Sequence, residues 1–439
     1  MRFHHADTAG PRFLQSTYQL IFRARLDSSH LEHAFHELLR TWPILRGRLN
    51  FMRTGSFSTD DTAGFWQLKK IESPLAEYFP LNHLAWEEIG EPEQKLVDEL
   101  FDLPSFKSYL LPPILRVQVL QFQDGCLMQF ILQHAFCDGT GFHRIVSAYA
   151  SLVRGETIQP IDEKRPSQLV FQTSIEGCET PNQLSEQVYQ LTFRHWATGW
   201  MGLIFTGLAQ WLIKAWSPSE RLLRNMHIPP SVIDRLNNLA KQRDLFLTRN
   251  DLLMAIIAQA AMASFPDISR IPIGFMLNFN KGLARPASLH NGFWPVSIPM
   301  PLSREMDMHG HQDDQLIKLA IHIRQAVNAA RCPRTLELFR KWYETMGSWQ
   351  PLYPANFYPN SPNIQVSSLS QEWYDISFGT ESKPCHVQMY PSMIDIFNAV
   401  GFCYHDLIIA IKDRDGGGYC IRGSLHKEVW KQLEYLRDE

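Results

Sequence analysis

Residues 126–153 read CLMQFILQHAFCDGTGFHRIVSAYASLV, and the punctuation in and around them decides how this part of the chain folds. Just upstream, Asp124-Gly125 is a hairpin turn signal between two runs of strand-forming residues, Ile114 to Phe122 and Cys126 to Gln133. Past Gly141 the apolar positions Phe142, Ile145, Val146, Tyr149, Leu152 and Val153 fall at helical spacing. His134 therefore sits at a strand end, Asp138 and Gly139 lie in the turn, and a helix departs at once. The H-x-x-x-D-G of residues 134–139 is thus held between rigid elements, with a glycine allowing a tight exit.

Outward from this hairpin the pattern stays mixed. Tyr18 to Leu26 reads as a strand. Asp27, Ser28 and Ser29 offer caps, and Leu31, Ala34, Phe35, Leu38 and Leu39 predict a helix over 30–41. Residues 155–190 are polar, carry Pro160, Pro166 and Pro181, and read as a long crossover. Residues 196–213 then run 18 positions without a formal charge, long enough to count as a membrane-span candidate. Beyond Pro229-Pro230, one helix is predicted on Val232, Ile233, Leu236, Leu239 and Ala240. A second, strongly apolar helix over 249–263 follows the cap residue Thr248. Strands are predicted near 271–279 and 293–299, then a long helix after Asp313-Asp314. Strands near 400–411 and 419–423 and a helix over 427–437 close the chain. Strands, hairpins and helices without a regular βαβ alternation predict an α/β chain built of α+β layers, and 439 residues favour two domains.

Composition removes several functional classes. The formal charge of −3 leaves no basic excess to hold a phosphate backbone, so no nucleic-acid partner is expected. Seven cysteines, an odd number with no C-x-x-C pair, argue against a disulfide framework and against a cysteine zinc site. A reducing, cytoplasmic setting is expected, and Met1 to Asp7 contain no apolar signal core. His309-x-His311 beside Asp313 and Asp314 reads as polar surface before a helix, so no metal is expected. Cys137 inside the motif reads as a small buried residue rather than a nucleophile. No G-x-S-x-G elbow, H-E-x-x-H or Walker loop occurs.

At this point the chain resembles the BAHD family of CoA-dependent acyltransferases within the HxxxD superfamily, and its fungal, trichothecene-acetyltransferase-like members in particular. The likeness rests on several segments in order. Asp7 precedes the first strand, and LLRTWPILRGRL (38–49) is similar to the family's "YPLAGRL". TRNDLLMA (248–255) is similar to its "S-x-N-D-x-L-x-A", and LHNG (289–292) stands in place of its "Y-F-G-N". DISFG (375–379) with Lys383-Pro384 stands in place of its second signature, D-F-G-W-G-K-P. Residues 416–435 are similar to its C-terminal end. The second signature keeps only Asp375, a displaced Gly379 and Lys383-Pro384, and the Asn-Gly order at 291–292 is inverted.

The resemblance implies two chloramphenicol-acetyltransferase-like domains with a central tunnel at their interface. Residues 1–165 would form the N-terminal domain, 166–225 a crossover and 226–439 the C-terminal domain, with 365–395 crossing back. It implies an O-acyltransferase moving an acyl group, commonly acetyl, from acyl-CoA to a hydroxyl of a lipophilic secondary metabolite such as a terpenoid or polyketide. His134 would be the general base. Asp138 would hold the loop through a charge pair, for which Lys281 and Arg285 are the nearby candidates. Gly139 would permit the turn, and Asp375 and Gly379 would shape a loop. Ser367, Ser368 and Trp373 are candidates for the substrate or oxyanion side. No acyl-enzyme is needed, because a thioester is already activated and a neutral His can take the hydroxyl proton. The alternatives are condensation-type chemistry on the same His134, or a cyclase or isomerase that keeps the fold and binds a hydrophobic intermediate. A simple membrane span at 196–213 conflicts with a site drawn from both halves. That leaves a helix packed on the body, or peripheral membrane contact through 196–216 with Trp196, Trp200, Trp211 and Trp216. A monomer is expected.

Overall fold

The structure is a computed structural model of the whole chain. It describes residues 14–50, 55–58, 65–79, 111–161, 187–188, 196–198, 221–266, 272–278, 289, 293–299, 311–335, 337–338, 341, 352–354, 364–379, 382–393, 406–414 and 416–438. In chain order the main elements begin with β1 (Leu14–Phe22), α1 (Ser28–Thr41), β2 (Trp66–Lys70), β3 (Leu115–Gln121), β4 (Cys126–Gln133) and α2 (Gly139–Val153). There follow β5 (Arg221–Ile228), α3 (Pro230–Gln242), α4 (Arg249–Ser264), β6 (Pro272–Asn278), β7 (Phe293–Pro299) and α5 (Gln312–Ala330). The last are β8 (Ile364–Leu369), β9 (His386–Met393), β10 (Leu407–Lys412), β11 (Tyr419–His426) and α6 (Lys427–Asp438). The chain divides into two compact units. One comprises Met1–Gln168, Arg285–Gly292 and Leu369–Cys403, and the other Leu169–Ala284, Phe293–Ser368 and Tyr404–Glu439.

The first unit is built on a five-stranded mixed sheet in the order β9-β1-β4-β3-β2. Strand β9 reaches this sheet from late in the chain and pairs antiparallel with β1 from Leu14↔Met393 to Ile21↔His386. The hairpin β3–β4 turns at Asp124-Gly125, and β2 runs parallel to β3. Strand residues alternate between faces. Tyr18 and Phe130 point to the helix side, where they meet Phe142 and Tyr149 of α2. Helix α1 starts on the carboxylate of Asp27, which accepts from the Ser29 and His30 amides, and buries Leu31, Ala34, Phe35, Leu38 and Leu39. The Tyr149 hydroxyl donates to the Leu31 carbonyl at 2.9 Å and ties the two helices together.

The opposite face of the same sheet is polar although buried. Gln15, Thr17, Gln19, Arg116, Gln118, Gln129, Gln133, His386 and Gln388 are all nearly inaccessible. At one end this face gives way to an apolar cluster of Ile21, Leu120, Leu127, Leu75, Phe79 and Phe122. That polarity explains why β1 begins earlier than the apolar run at 18–26 predicts. Gln15, Ser16 and Thr17 precede that run, yet they are buried, paired strand residues, and the strand ends at Phe22.

The second unit carries a six-stranded mixed sheet, β7-β6-β8-β10-β11-β5, with β6 and β8 parallel. Helix α4 is buried on every side against α3, α5 and α6, which is why its sequence is apolar all round. Thr248 caps it as its position implies, in a capping box with Asp251. Arg324 of α5 then reaches both, donating to Thr248 Oγ1 at 2.8 Å and pairing with the Asp251 carboxylate.

Of the apolar stretch 196–213, only Trp196–Thr198 lie among the described residues. They form a short strand antiparallel to Leu352–Pro354. Among the described residues no helix is long and apolar enough to cross a membrane. Asp7, Trp200, Trp211, Trp216, His309 and most of the 166–225 crossover lie outside the described residues, as does 289–292 apart from Leu289. His311 caps α5, its Nδ1 accepting from the Asp313 amide.

Candidate active site

The H-x-x-x-D-G turn follows directly from the end of β4. The Phe136 amide donates to the Gln133 carbonyl at 2.8 Å, closing a turn that contains His134 and Ala135. Ala135, Phe136 and Cys137 are packed into the core and Asp138 is buried as well. His134 is the half-open side chain of this turn, with Nδ1 beneath the surface. Three anchored apolar residues thus present one imidazole.

Asp138 works on the backbone. It is the N-cap of α2, and its Oδ1 accepts from the Thr140 and Gly141 amides, each at 3.0 Å. A negative cap also suits the positive end of the helix dipole. Gly139 opens α2 without a positive φ, so the glycine serves close approach rather than a strained turn. A Cβ there would stand 2.7 Å from Leu369 Cδ2 and 3.4 Å from Tyr18 Oη. Gly141 is tight in the same way against Cys137.

Tyr18 and Trp373 join this turn in space. Their rings stack with centroids 4.4 Å apart, and Phe142 meets the tyrosine edge-on at 4.3 Å. Both residues are fully buried, yet among the described residues neither Tyr18 Oη nor Trp373 Nε1 has a hydrogen-bond partner. Burial pushes the Tyr18 phenol well above its ordinary value, and the neighbouring Cys137 and Asp138 add to this. Two acceptors beside the turn are in the same condition, Gln133 Oε1 and Gln371 Oε1. Buried polar atoms without partners are rare in folded proteins and concentrate where function or a ligand requires them.

The 371–379 segment is fastened along one stripe of α2. Gln371 Nε2 donates to Thr140 Oγ1 at 2.9 Å. His143 lies edge-on to Trp373 at 4.8 Å, with Nε2 3.5 Å from the Glu372 carbonyl and Nδ1 3.5 Å from Ser147 Oγ. One face further along, Arg154 donates to the Ser377 carbonyl. Burial lowers the His143 imidazole from its ordinary value, against the opposing pull of the Glu372 carbonyl and charge.

The other sequence-named residues are scattered. Asp375 is 68% exposed and pairs with Lys383, itself exposed, at 2.8 Å, a contact of small energetic weight. Gly379, at φ 146°, takes a conformation that side chains avoid, and its carbonyl accepts from Ser377 Oγ at 2.6 Å. Ser367 and Ser368 are half-buried on β8 in the second unit. Lys281 and Arg285 lie outside the described residues. Tyr18, Gln133, Gln371 and His143 carried no local signal, because only the fold brings them to residues 134–140.

Chemically, the turn offers a half-open imidazole on rigid backbone, a capped helix start and buried polar atoms that have no partner among the described residues. No nucleophilic Ser or Cys stands beside the imidazole in this turn, since Cys137 is packed inside.

A family model described as "Transferase family" matches residues 13–183. The acetyltransferase peniE of Penicillium patulum is 21% identical over 460 residues, covering 94% of this chain and 93% of that protein. The crystal structure of F. sporotrichioides TRI101 complexed with coenzyme A and T-2 matches with a TM-score of 0.66 at 15% identity, over 98% of this chain and 95% of that one. Vinorine synthase matches with a TM-score of 0.62 at 14% identity, over 99% and 93% of the two chains. Family model, near-full-length relative and two-sheet fold agree, and the chain is similar to acyltransferases of the BAHD type in sequence pattern and in fold.

Proposed function

We propose that the protein transfers an acyl group, acetyl first among candidates, from acyl-CoA to a hydroxyl of a lipophilic secondary metabolite, with His134 as general base. The observation that carries this reading is the half-open His134 in an otherwise buried turn, together with buried polar atoms on Tyr18, Gln133, Gln371 and Trp373 that have no partner among the described residues. The neutral imidazole accepts the hydroxyl proton as the oxygen attacks the thioester carbonyl. The C–S bond then breaks, and the leaving CoA thiolate takes the proton back. Such base catalysis is worth roughly 10²–10⁴-fold. Asp138, spent on capping α2, orients the turn and does not itself take the proton. Residues 1–165 with the returning 365–395 would carry the base, and 226–439 would complete the site.

The acceptor class is argued from relatives. A Penicillium relative is an acetyltransferase, and structures of F. graminearum TRI101 hold coenzyme A together with deoxynivalenol or T-2 mycotoxin. The test is incubation of the purified protein with acetyl-CoA and a panel of hydroxylated terpenoids and polyketides, deoxynivalenol included, read by mass spectrometry. The expected product is one acetyl group heavier than its acceptor, and His134→Ala slows its formation by about 10²–10⁴-fold. A product isomeric with its substrate and formed without CoA would overturn the proposal, as would a His134→Ala protein of undiminished rate.

A further inference from the structure

The polar face of the first sheet carries a continuous chain of glutamine side chains. Gln388 Nε2 donates to Gln19 Oε1 at 2.8 Å, Gln19 Nε2 to Gln129 Oε1 at 2.6 Å, Gln129 Nε2 to Gln118 Oε1 at 2.8 Å, and Gln118 Nε2 to Gln67 Oε1 at 2.5 Å. Each of the five strands supplies one member, and the members are direct partners in the register: Gln19↔Gln388, Gln19↔Gln129, Gln118↔Gln129 and Gln67↔Gln118. All four bonds run head to tail in one direction, so each amide polarises the next. Four of the five residues are buried, and Gln67 at the edge is half-buried.

We infer that this chain is a positioning device for His134: it locks the strand register that sets where the imidazole stands. Alternation of side chains between the two faces leaves part of the register undecided. A one-residue slip would send core residues to the wrong face and is excluded by burial alone. A two-residue slip keeps every side chain on its face, so apolar alternation does not forbid it. Such a slip of β4 would carry His134, five residues beyond Gln129, by about 6.7 Å along the strand. That distance removes a base from any hydroxyl it is meant to deprotonate. The glutamine level does forbid the slip. One step in one direction lies the apolar level of Ile21, Leu127 and Leu120, and one step in the other lies Thr17, Ile131 and Arg116. Slipped one way, Gln129 would be buried unsatisfied between Ile21 and Leu120; slipped the other way, it would face Thr17 and Arg116 and the head-to-tail chain would be cut at its centre. Fold stability alone gives no reason for five amides here, because well-packed apolar side chains fill a core at least as well.

The inference rests on the base role proposed for His134, and its test separates the two. In a Gln19→Leu, Gln118→Leu, Gln129→Leu protein, cooperative unfolding should persist. Turnover with acetyl-CoA and the best acceptor of the panel should fall at least about tenfold, with KM for acetyl-CoA within about threefold of the parent. Gln129→Glu guards against misfolding of the triple variant. Near pH 6 a neutral buried acid still accepts from Gln19 and donates to Gln118, so turnover should stay within about twofold of the parent; near pH 9 the ionised acid has no proton to donate and turnover should drop about fivefold or more. Parent-like turnover in the folded triple variant, or a pH profile of Gln129→Glu that parallels the parent, overturns the inference. If the parent transfers no acyl group at all, the base role fails separately. Hydrogen exchange over residues 126–139 then decides the lock, which predicts faster exchange in the triple variant and is refuted by unchanged exchange.

Discussion

A methyl group on Gly139 would force a neighbouring side chain to shift, and that contact ties the motif to a segment more than two hundred residues away. The contact at issue is with Leu369 Cδ2, 2.7 Å from where a Cβ would stand. Gly139→Ala should therefore destabilise the fold by about 1–3 kcal/mol through overpacking. Leu369→Ala alone should cost about 2–5 kcal/mol through the cavity it leaves. The two lesions are complementary in shape, so the double variant should be more stable than the sum by about 1 kcal/mol or more. Urea midpoints of the four proteins measure this, and strict additivity would show that Leu369 is not what excludes the side chain. At this scale the sequence displays the motif but not its surroundings. His134, Asp138 and Gly139 stand together in the chain, whereas Tyr18 and Trp373 acquire meaning only once β1 and the 371–379 segment meet over α2.

Helix α2 links the motif to that segment. Its first turn is capped by Asp138, its apolar face is sunk on Phe142, Ile145, Val146, Tyr149 and Ala150, and its polar stripe fastens Gln371, Glu372 and Ser377. His143 makes this fastening sensitive to pH. Its folded-state value is lowered, with burial as the leading cause, so below the ordinary value near 6.5 the unfolded chain binds protons that the folded chain resists. Stability present above that pH is lost as pH falls toward the folded-state value. The parent should lose melting temperature relative to His143→Gln between pH 7.5 and pH 5.5, and a difference that stays flat across this range would remove the linkage. Elements bounded by strong signals were legible in the sequence. The Asp124-Gly125 turn delimits β4, read at 126–133 and found there, and Thr248 delimits α4. Strand β1 was displaced in the sequence reading, because polar residues that pair with each other look the same in sequence as polar residues that face water. A glutamine is hydrophilic wherever it stands; only its partners Gln129 and Gln388 show that Gln19 belongs inside.

At the scale of the molecule, neither compact unit is a continuous stretch of chain. The first unit takes an edge strand, β9, and the whole 371–379 segment from beyond residue 368. Two polar patterns hold this late addition: β9 pairs with β1 over eight residue pairs, and Gln388 feeds the glutamine chain. Sequence alone shows motif order along the chain but not strand order across a sheet, since pairing of distant strands leaves no mark in local periodicity. The discontinuity has a testable consequence. A fragment of residues 1–168 would leave β1 as an uncovered edge of nine residues, a template for association with other chains. It would also strand Gln19 Oε1 without its donor and remove Trp373 from Tyr18. Such a fragment should show weak near-ultraviolet circular dichroism, broad non-cooperative unfolding and self-association on gel filtration. Rejoining residues 369–403 to it through a flexible glycine-serine linker should restore the aromatic signal and a sharper transition, because the added segment supplies both β9 and the ring that Tyr18 stacks on. A monomeric 1–168 fragment that unfolds cooperatively would mean that the first sheet closes without its late strand, and the stack of Tyr18 on Trp373 would then be a consequence of the fold rather than one of its conditions.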